Sequence, residues 1–392
     1  MLNANRQTLD RFIPGIVLNE GFFHDVVKPL IARHYPDLRY SSALIGYGSD
    51  VLGLDTAISM DHNWGPRLQI FLTDQDFPKM ATPLDTILRE RLPVAYKGFP
   101  TNYTDKRADL TQSMRPIAAG PVNHLIEIHT LARFGKHALG VDVSQEFSLL
   151  DWLTLPEQGL LEFTQGKVYD DGLRQLNRLR ARFAFYPKDI WLIKMAALWH
   201  TIGEEEAFVG RCHDLGDEIG ERLILARLVN YVLKLCFYLE QQYPPYSKWL
   251  GTAFRKLRCA PALSPILAAI LSNASHNTRA AGLFEAYEII GQMHHALNLT
   301  EKVAFTVSNF YGRPYQVLFA ERIADSLKAA ISDQSIKAAN LVLAGIGQLT
   351  DGVDKRGLYD LVRSFYKRGT QHESDNETGR NSRHRPTMGL DE

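Results

Sequence analysis

The chain has 392 residues, of which 45% are apolar and 22% are charged, a composition that excludes a protein disordered throughout. Because single hydrophobic cores stop growing at about 250 to 300 residues, this length predicts two domains. Lys and Arg together number 44, as do Asp and Glu, so no net positive field attracts nucleic acid, which disfavours a polynucleotide substrate.

The cysteines and the N-terminus indicate a compartment. Cys212, Cys236 and Cys259 occur singly, without metal-binding spacing, which predicts reduced core residues. The N-terminus lacks the basic and apolar regions of a signal peptide, and no apolar run reaches the roughly 18 residues of a membrane span. We therefore expect a cytoplasmic protein that does not interact with membranes.

The first 140 residues combine short helix and strand patterns. Apolar residues at helical spacing predict a helix over 19–34, which Pro36 ends. Thr82 as a cap and Pro83 in the first turn predict the start of a second helix that runs to Leu92. Strand patterns cover residues 40–46, 68–72, 94–103 and 123–131. Together these patterns predict a small mixed or antiparallel sheet backed by helices.

After Gly140 the patterns are mainly helical, apart from a turn or short strand at 166–170. Helical patterns cover residues 147–153, 156–164, 172–183, 188–213, 217–242, 246–257, 261–272, 277–297 and 313–349. From about Thr370 the sequence is polar and aperiodic, which predicts disorder. We therefore predict an α+β protein with a sheet domain at 1–140, an all-α helical bundle at 141–368 and a disordered tail at 369–392.

The stretch 48–72 has the features of a phosphate and metal site. Gly48 and Ser49 follow a predicted strand, and Asp61 and Asn63 come shortly before the next one. Glycine lets the backbone approach a phosphate closely, the following amides and hydroxyl can hydrogen-bond its oxygens, and a carboxylate on the returning strand can hold Mg²⁺ against them. This order of residues suits nucleotidyl transfer.

The same stretch resembles the polymerase-β-like nucleotidyltransferases, whose signature is Gly-Ser followed further along by Asp-x-Asp. Gly48, Ser49 and Asp61 occupy the first three places, and Asn63 occupies the fourth. The longer string SMDHNWGPR, at residues 59–67, is similar to a large, poorly characterised bacterial branch that usually carries Asp-His-Asp-Trp-Gly-Pro-Arg. Asn63 departs from that pattern, since it stands where the branch carries the second Asp. An amide oxygen can ligate Mg²⁺ but brings no charge to a two-metal site.

Shorter matches extend the resemblance over most of the first 260 residues, at 98–102, 127–130, 152–154, 206–211 and 246–249. The resemblance implies an enzyme that moves a nucleoside monophosphate, AMP from ATP or the equivalent from another nucleoside triphosphate, and releases pyrophosphate. It implies Mg²⁺ as cofactor and a nucleophile of a small molecule or protein as acceptor.

The resemblance also implies roles for single residues. Ser49 and the amides near it would grip the terminal phosphates, and Asp61 and Glu127 would hold Mg²⁺, with Asn63 either assisting or acting as a structural turn partner. Glu127 lies on the predicted strand 123–131. His129 lies on the same face of that strand as Glu127. It would act either as a general base or as a residue that positions the acceptor; the alternative is a histidine hydrogen-bonded within the sheet.

Ser247 and Lys248 form a second predicted cluster, directly after a Pro-Pro pair at 244–245. A cation in the first turn of a helix opposes the helix dipole, so Lys248 indicates a bound anion, and the resemblance implies that it contacts the triphosphate. A solvated lysine is the alternative. A solvated face is also predicted for the arginine run, Arg174, Arg178, Arg180 and Arg182.

Two other classes of function stay open. A catalytically inactive fold that binds a nucleotide or a protein partner would account for Asn63, and a helical scaffold with a coincidental Gly-Ser turn would need no ligand. Nucleotide binding separates the scaffold from the others, and turnover separates the enzyme from the binder. The sequence does not specify the acceptor, the base preference or the oligomeric state.

Overall fold

The structure, a computed structural model, describes residues 12–272 and 274–339. These residues divide into two compact units: the first holds 12–146, 155–185 and 243–253, and the second holds 147–154, 186–242, 254–272 and 274–339. Among the described residues, no helix is both long enough and apolar enough to cross a membrane.

Eight strands and fourteen α-helices are distributed over the described residues. The strands are β1 Ser41–Leu44, β2 Arg67–Phe71, β3 Ala95–Tyr96, β4 Phe99–Pro100, β5 Leu125–His129, β6 Lys167–Asp171, β7 Ser308–Asn309 and β8 Gln316–Val317. The helices are α1 Gly15–Phe22, α2 Lys28–His34, α3 Phe77–Arg91, α4 Leu131–Leu139, α5 Leu149–Thr154, α6 Glu157–Thr164, α7 Leu176–Arg182, α8 Lys188–Asp214, α9 Glu218–Leu239, α10 Ser247–Phe254, α11 Ala260–Ile270, α12 His276–Ala296, α13 Glu321–Ala329 and α14 Gln334–Lys337. A π-helical turn, Phe23–Val27, joins α1 to α2.

A four-stranded sheet in the order β5-β2-β1-β6 forms the centre of the first unit. β1 runs antiparallel to β2 and to β6, whereas β2 and β5 are parallel. Gln69 therefore lies opposite Ala43 on one side and Glu127 on the other. The predicted α+β fold with a small mixed sheet is confirmed, and its fourth strand, β6, comes from beyond residue 140.

The two faces of this sheet have different surroundings. Leu68, Ile70 and Ile126 pack into a buried cluster with Phe22 and Phe23 at the junction of α1 and the π-helical turn. Because successive residues of a strand point to opposite faces, Gln69, Phe71 and Glu127 lie on the other face. There Phe71 packs edge-on against Phe134 of α4, with ring centroids 5.3 Å apart.

Two predicted elements of the first unit are wrong in detail. The predicted helix does not start at Thr82, because α3 begins at Phe77 and Pro83 lies inside it. Another proline, at position 78, occupies the first turn of α3, where a missing N–H costs nothing. The predicted strand over 94–103 is instead the hairpin β3–β4, whose turn residues Lys97 and Gly98 have φ of 47° and 83°, as a type I′ turn requires.

The second unit is mainly helical, as the sequence predicts. Residues 190–199 of α8 are all buried, and this helix packs against α9 and α13. A helix that is buried on every side belongs to the interior of a bundle.

The predicted helix over 313–349 is wrong before residue 321 and is interrupted after Ala329, whereas Glu321–Ala329 and Gln334–Lys337 are helical. β8 pairs with β7, and α13 and α14 follow. The Glu206 carboxylate accepts the backbone N–H groups of Leu318 and Ala320 at 2.6 and 3.0 Å. Those amides are satisfied by a tertiary contact, so no helix is needed there. Residues from 340 on, including the predicted tail at 369–392, lie outside the described residues.

Candidate functional site

The turn that follows β1, residues 46–54, is built around a glycine; we refer to it as the Gly48 turn. Gly48 has φ of 124°, and a Cβ atom there would collide with the guanidinium of Arg67 and the carboxylate of Asp50. The N–H of Leu54 donates to the Ser49 carbonyl at 2.8 Å and closes the turn. Only glycine fits both this dihedral angle and this close approach.

A buried ion pair anchors the Gly48 turn to β2. Arg67 donates from Nη2 and Nε to the Asp50 carboxylate at 2.6 and 3.1 Å, and both side chains are 1% exposed. Nη2 also donates to the Tyr47 carbonyl at 2.8 Å. Burial acts to lower the pKa of Arg67, but the charge and hydrogen bonding of Asp50 together with Tyr47 and Glu127 outweigh it and raise that pKa above its usual value. The guanidinium therefore stays charged.

Sequence reasoning did not identify this ion pair. Asp50 directly follows Ser49, and Arg67 ends the SMDHNWGPR string, so both lie in the motif-bearing stretch. Charged residues are almost never fully buried unless they are paired, and pattern alone does not reveal the partner. The signal available was the presence of opposite charges at both ends of the motif.

Three hydrogen-bond donors of the Gly48 turn have no acceptor in residues 12–272 and 274–339. Ser49 is half-buried, and within the described part of the chain its hydroxyl makes no hydrogen bond. The backbone N–H groups of Ser49 and Asp50 likewise donate to no acceptor among the described residues. Successive unpaired amides next to a hydroxyl form a concavity suited to an anion.

Glu127 contacts the Gly48 turn at the side chain of Tyr47. Its carboxylate accepts a hydrogen bond from Gln69 Nε2 at 3.1 Å and a long one from the Tyr47 hydroxyl at 3.5 Å, and His129 Nε2 is 3.7 Å away. Burial acts to raise the pKa of Glu127, but the nearby His129, the hydrogen bond from Gln69 and the Arg67 charge together outweigh it and hold that pKa at about 2. The carboxylate is ionised at neutral pH, and 32% of the side chain is exposed.

Tyr47 and Gln69 are functional candidates that the sequence analysis missed. Burial and then the Glu127 charge raise the pKa of Tyr47 to about 12, so its hydroxyl stays protonated and can donate. Gln69 accepts the backbone N–H of Ile45 through Oε1 at 3.0 Å while Nε2 donates to Glu127. Gln69 thereby fixes the Glu127 carboxylate relative to the end of β1.

Asp61 and Asn63 are not on a strand, contrary to the prediction of a strand carboxylate. Asp61 ends a 3₁₀ helix, Ala57–Asp61; its side chain is 63% exposed, and its Oδ2 is 2.8 Å from His62 Nδ1. Asn63 has φ of 47°, a left-handed conformation that Asn tolerates well. Its Oδ1 accepts the backbone N–H of Gln112 at 2.9 Å, so Asn63 acts here as a structural turn partner.

The structure brings some of the predicted site residues together and leaves others apart. Glu127 and His129 are neighbours, and Tyr47 joins Glu127 to the Gly48 turn. In the described part of the chain, Asp61, Glu127 and His129 do not converge into one group of possible metal ligands within 4.8 Å. The Asp61 carboxylate is turned toward His62 instead.

Ser247 and Lys248 are exposed at the start of α10. The N–H of the preceding Tyr246 donates to Gln158 Oε1 at 3.0 Å, which fixes where this helix begins. Lys248 Nζ lies 4.9 Å from the ring centroid of Trp249. An exposed cation over an aromatic face gains about 0.5–1 kcal/mol, which partly offsets its unfavourable place in the first turn.

The predicted arginine face divides into two environments. Arg174, Arg178 and Arg182 are exposed and line a cleft of about 930 Å³ at the carboxyl ends of β2 and β5. Arg180 is half-buried instead, because its guanidinium donates to the carbonyls of Thr164 and Gln165 at 2.5 and 2.9 Å. It thus satisfies carbonyls at the end of α6, where a cation is favourable.

Comparisons with known proteins are sparse. Residues 152–250 match a domain of unknown function (DUF4037), a region that includes Ser247 and Lys248 but not the Gly48 turn. No curated protein is similar in sequence. Among solved structures, a nucleotidyltransferase-like protein from Exiguobacterium sibiricum 255-15 aligns with a TM-score of 0.32 and 9% identity, over 79% of this chain and 89% of that one. A similarity this distant establishes neither activity nor substrate.

Proposed function

We propose that this protein is a nucleotidyltransferase of the polymerase-β-like kind, cytoplasmic, which moves AMP from ATP onto a small-molecule or protein acceptor and releases pyrophosphate. The observation that carries the proposal is the Gly48 turn, in which the Ser49 hydroxyl and two successive amides have no acceptor among the described residues. The resemblance of residues 59–67 to that superfamily supports the proposal. The ionised carboxylate of Glu127 supports it as well, because Glu127 contacts the Gly48 turn through the Tyr47 hydroxyl.

The Gly48 turn would bind the terminal phosphates. Its donors are held in place by the buried Asp50–Arg67 pair, so no reorganisation is needed when an anion arrives. Ser247 and Lys248 are the further proposed phosphate contacts, since an exposed lysine can close over a triphosphate as a point charge. The Tyr47 hydroxyl, also in the Gly48 turn, is a further hydrogen-bond donor.

The oxygen donors of the site suit Mg²⁺ in their chemistry. Glu127 is ionised and partly exposed, and Asp61 is an exposed carboxylate, which are the hard ligands that Mg²⁺ prefers. When bound, Mg²⁺ supplies neutralisation of phosphate charge. Glu127 and Asp61 would hold it, and His129 could take the proton of an attacking hydroxyl. Asn63 would serve the turn, because Gln112 already uses its amide oxygen.

The second candidate function is nucleotide binding without turnover. It is favoured by the Asp61 carboxylate, which faces His62 and does not form a group with Glu127 and His129. A fold of this kind would keep the phosphate-binding turn but lack a second charged metal ligand beside Glu127.

Incubation with each labelled nucleoside triphosphate, Mg²⁺ and a cell extract as acceptor source tests the enzyme. We expect a labelled product from the wild type and none from Glu127→Gln. Glu90→Gln is the matched control, because Glu90 is an exposed acid of the same unit. Binding of a triphosphate without pyrophosphate release would favour the binder, and indifference to every triphosphate at millimolar concentration would exclude both functions.

A further inference from the structure

Three side chains from three helices of the second unit meet in one cluster. His213 lies near the end of α8, Glu221 in the first turns of α9, and His276 at the start of α12. His276 Nδ1 is 3.0 Å from Glu221 Oε1, and His213 Nδ1 is 3.9 Å from Glu221 Oε2. The two imidazole rings stack with centroids 3.7 Å apart and planes 5° apart. We call these residues the His–Glu–His cluster.

The spacing of the cluster matches the coordination shell of a small cation. One possible ligand atom from each residue lies within 4.8 Å of the other two, a convergence that no other three acids, cysteines or histidines of the described residues reach. Zinc binds nitrogen and oxygen ligands at about 2.0–2.2 Å, so tetrahedral geometry places neighbouring ligand atoms about 3.4 Å apart. Each histidine faces its own oxygen of the Glu221 carboxylate, His213 at 3.9 Å from Oε2 and His276 at 3.0 Å from Oε1, and both distances are within about 0.5 Å of that value.

Arg279 positions the carboxylate of the cluster. Its Nε and Nη2 donate to Glu221 Oε1 at 3.2 and 2.7 Å, and both side chains are buried. Oε1 is therefore engaged, while Oε2 faces His213 and is left for a cation. Metal-binding carboxylates are commonly oriented by such outer hydrogen bonds. A buried Arg–Glu pair would account for Arg279 and Glu221 alone, but not for two stacked histidines directed at the same carboxylate.

The cluster opens on a cavity of about 420 Å³ in the second unit. His213 and His276 line it together with Asp214, Asn277 and Tyr315. The Tyr315 hydroxyl donates to Asp214 Oδ2 at 2.6 Å, so the cavity has polar groups in fixed positions. Three protein ligands with a fourth position open to a cavity are typical of zinc sites that bind water or a ligand.

We propose that His213, Glu221 and His276 bind a divalent transition-metal ion of the zinc class, with its fourth coordination position on this cavity. Two imidazoles and one carboxylate suit Zn²⁺, Ni²⁺ or Cu²⁺, whereas Mg²⁺ and Ca²⁺ prefer oxygen ligands throughout. The site involves none of the residues of the Gly48 turn and does not depend on the proposed nucleotidyl transfer. Because its ligands come from α8, α9 and α12, the bound ion would also stabilise the second unit.

Calorimetric titration of the chelator-treated full chain with Zn²⁺ tests the site. We expect one ion per chain. Loss of a residue that only supports a metal ligand already weakens metal binding by about tenfold or more. His213→Ala and His276→Ala, which each remove a ligand, should therefore weaken zinc binding by more than roughly tenfold. His200→Ala is the matched control, because His200 lies on the same helix α8 and pairs only with Glu204, at 3.6 Å, among the acids of the described residues. It should bind zinc as the wild type does.

A second measurement keeps the test decisive if His276→Ala fails to fold. His213 is exposed, so His213→Ala should keep its fold, and Zn²⁺ should raise the melting temperature of the wild type and His200→Ala but not of His213→Ala. Zinc binding unchanged by both cluster variants, or no zinc binding by the wild type, would overturn the proposal and leave Glu221 as the partner of a buried arginine.

Discussion

Asp50→Asn removes one charge from the buried ion pair that holds the Gly48 turn against β2. Asp50 and Arg67 are each 1% exposed and share hydrogen bonds of 2.6 and 3.1 Å. In the variant the guanidinium stays buried without its counter-charge, and an NH₂ group replaces one accepting oxygen. Breaking such a pair from one side costs about 3–5 kcal/mol. We expect a loss of this size in the free energy of unfolding.

Lys28 and Asp170 provide a matched control in the same unit. Lys28 Nζ lies 2.7 Å from Asp170 Oδ2, almost as close as the buried pair, but these side chains are 48% and 29% exposed. Exposed ion pairs contribute only about 0–1 kcal/mol. Asp170→Asn should therefore cost about 1 kcal/mol or less, although the contact distance is nearly the same.

Urea unfolding of the variants, followed by circular dichroism, measures these losses. Asp50→Asn combined with Arg67→Met removes both charges, so the double variant should regain part of the stability lost in Asp50→Asn. Equal losses for Asp50→Asn and Asp170→Asn would refute the view that burial makes the Asp50–Arg67 pair the anchor of the turn.

Three further predictions concern the site. Gly48→Ala should abolish the rise in melting temperature that ATP and Mg²⁺ produce, because the added Cβ would collide with Arg67 and Asp50. Gly251→Ala is the control and should keep that rise, because Gly251 has open space around it. The pKa of Glu127 in the folded protein, about 2, lies below its ordinary value of 4.5, so the ionised carboxylate stabilises the fold fully above about pH 4.5. This stabilisation is lost as the pH falls toward 2, where the free energies of unfolding of wild type and Glu127→Gln, measured in urea, should converge. Asn63→Asp should leave Mg²⁺ affinity, measured by calorimetry, unchanged, because the side-chain oxygen of residue 63 is held by the Gln112 N–H; a clear rise would contradict the structural role of Asn63 and make it a metal ligand.

The central strands could be predicted because their signals are local. β1, β2 and β5 are short apolar runs bounded by Gly, Pro or polar residues, which is what a buried strand requires. β6 was less distinct, since Lys167–Asp171 has few apolar residues and becomes a strand by pairing with β1. The segment directly after β8 is held by Glu206, more than a hundred residues earlier in the chain, and no local pattern records that contact.

The candidate site could be predicted only in part for the same reason. The position of Gly48 and Ser49 follows from motif spacing, but the partner of Asp50 depends on burial, which spacing does not encode. Asn63 reads as a weakened metal ligand from the motif, and only its contact with Gln112 shows its part in a turn. His213 and His276 are far apart in the sequence and meet through the packing of helices, so no spacing rule could join them.

The affinity of ATP with Mg²⁺ for the wild type and for Ser49→Ala, measured by calorimetry, tests the central claim most directly. A hydrogen bond from the Ser49 hydroxyl to a charged phosphate is worth about 1.5–3 kcal/mol. We therefore expect Ser49→Ala to bind ATP at least about tenfold more weakly, while Ser326→Ala, which removes another half-buried hydroxyl, in α13, binds as the wild type does. Equal affinities for wild type and Ser49→Ala, or no ATP binding by the wild type, would contradict a phosphate-binding role for the Gly48 turn.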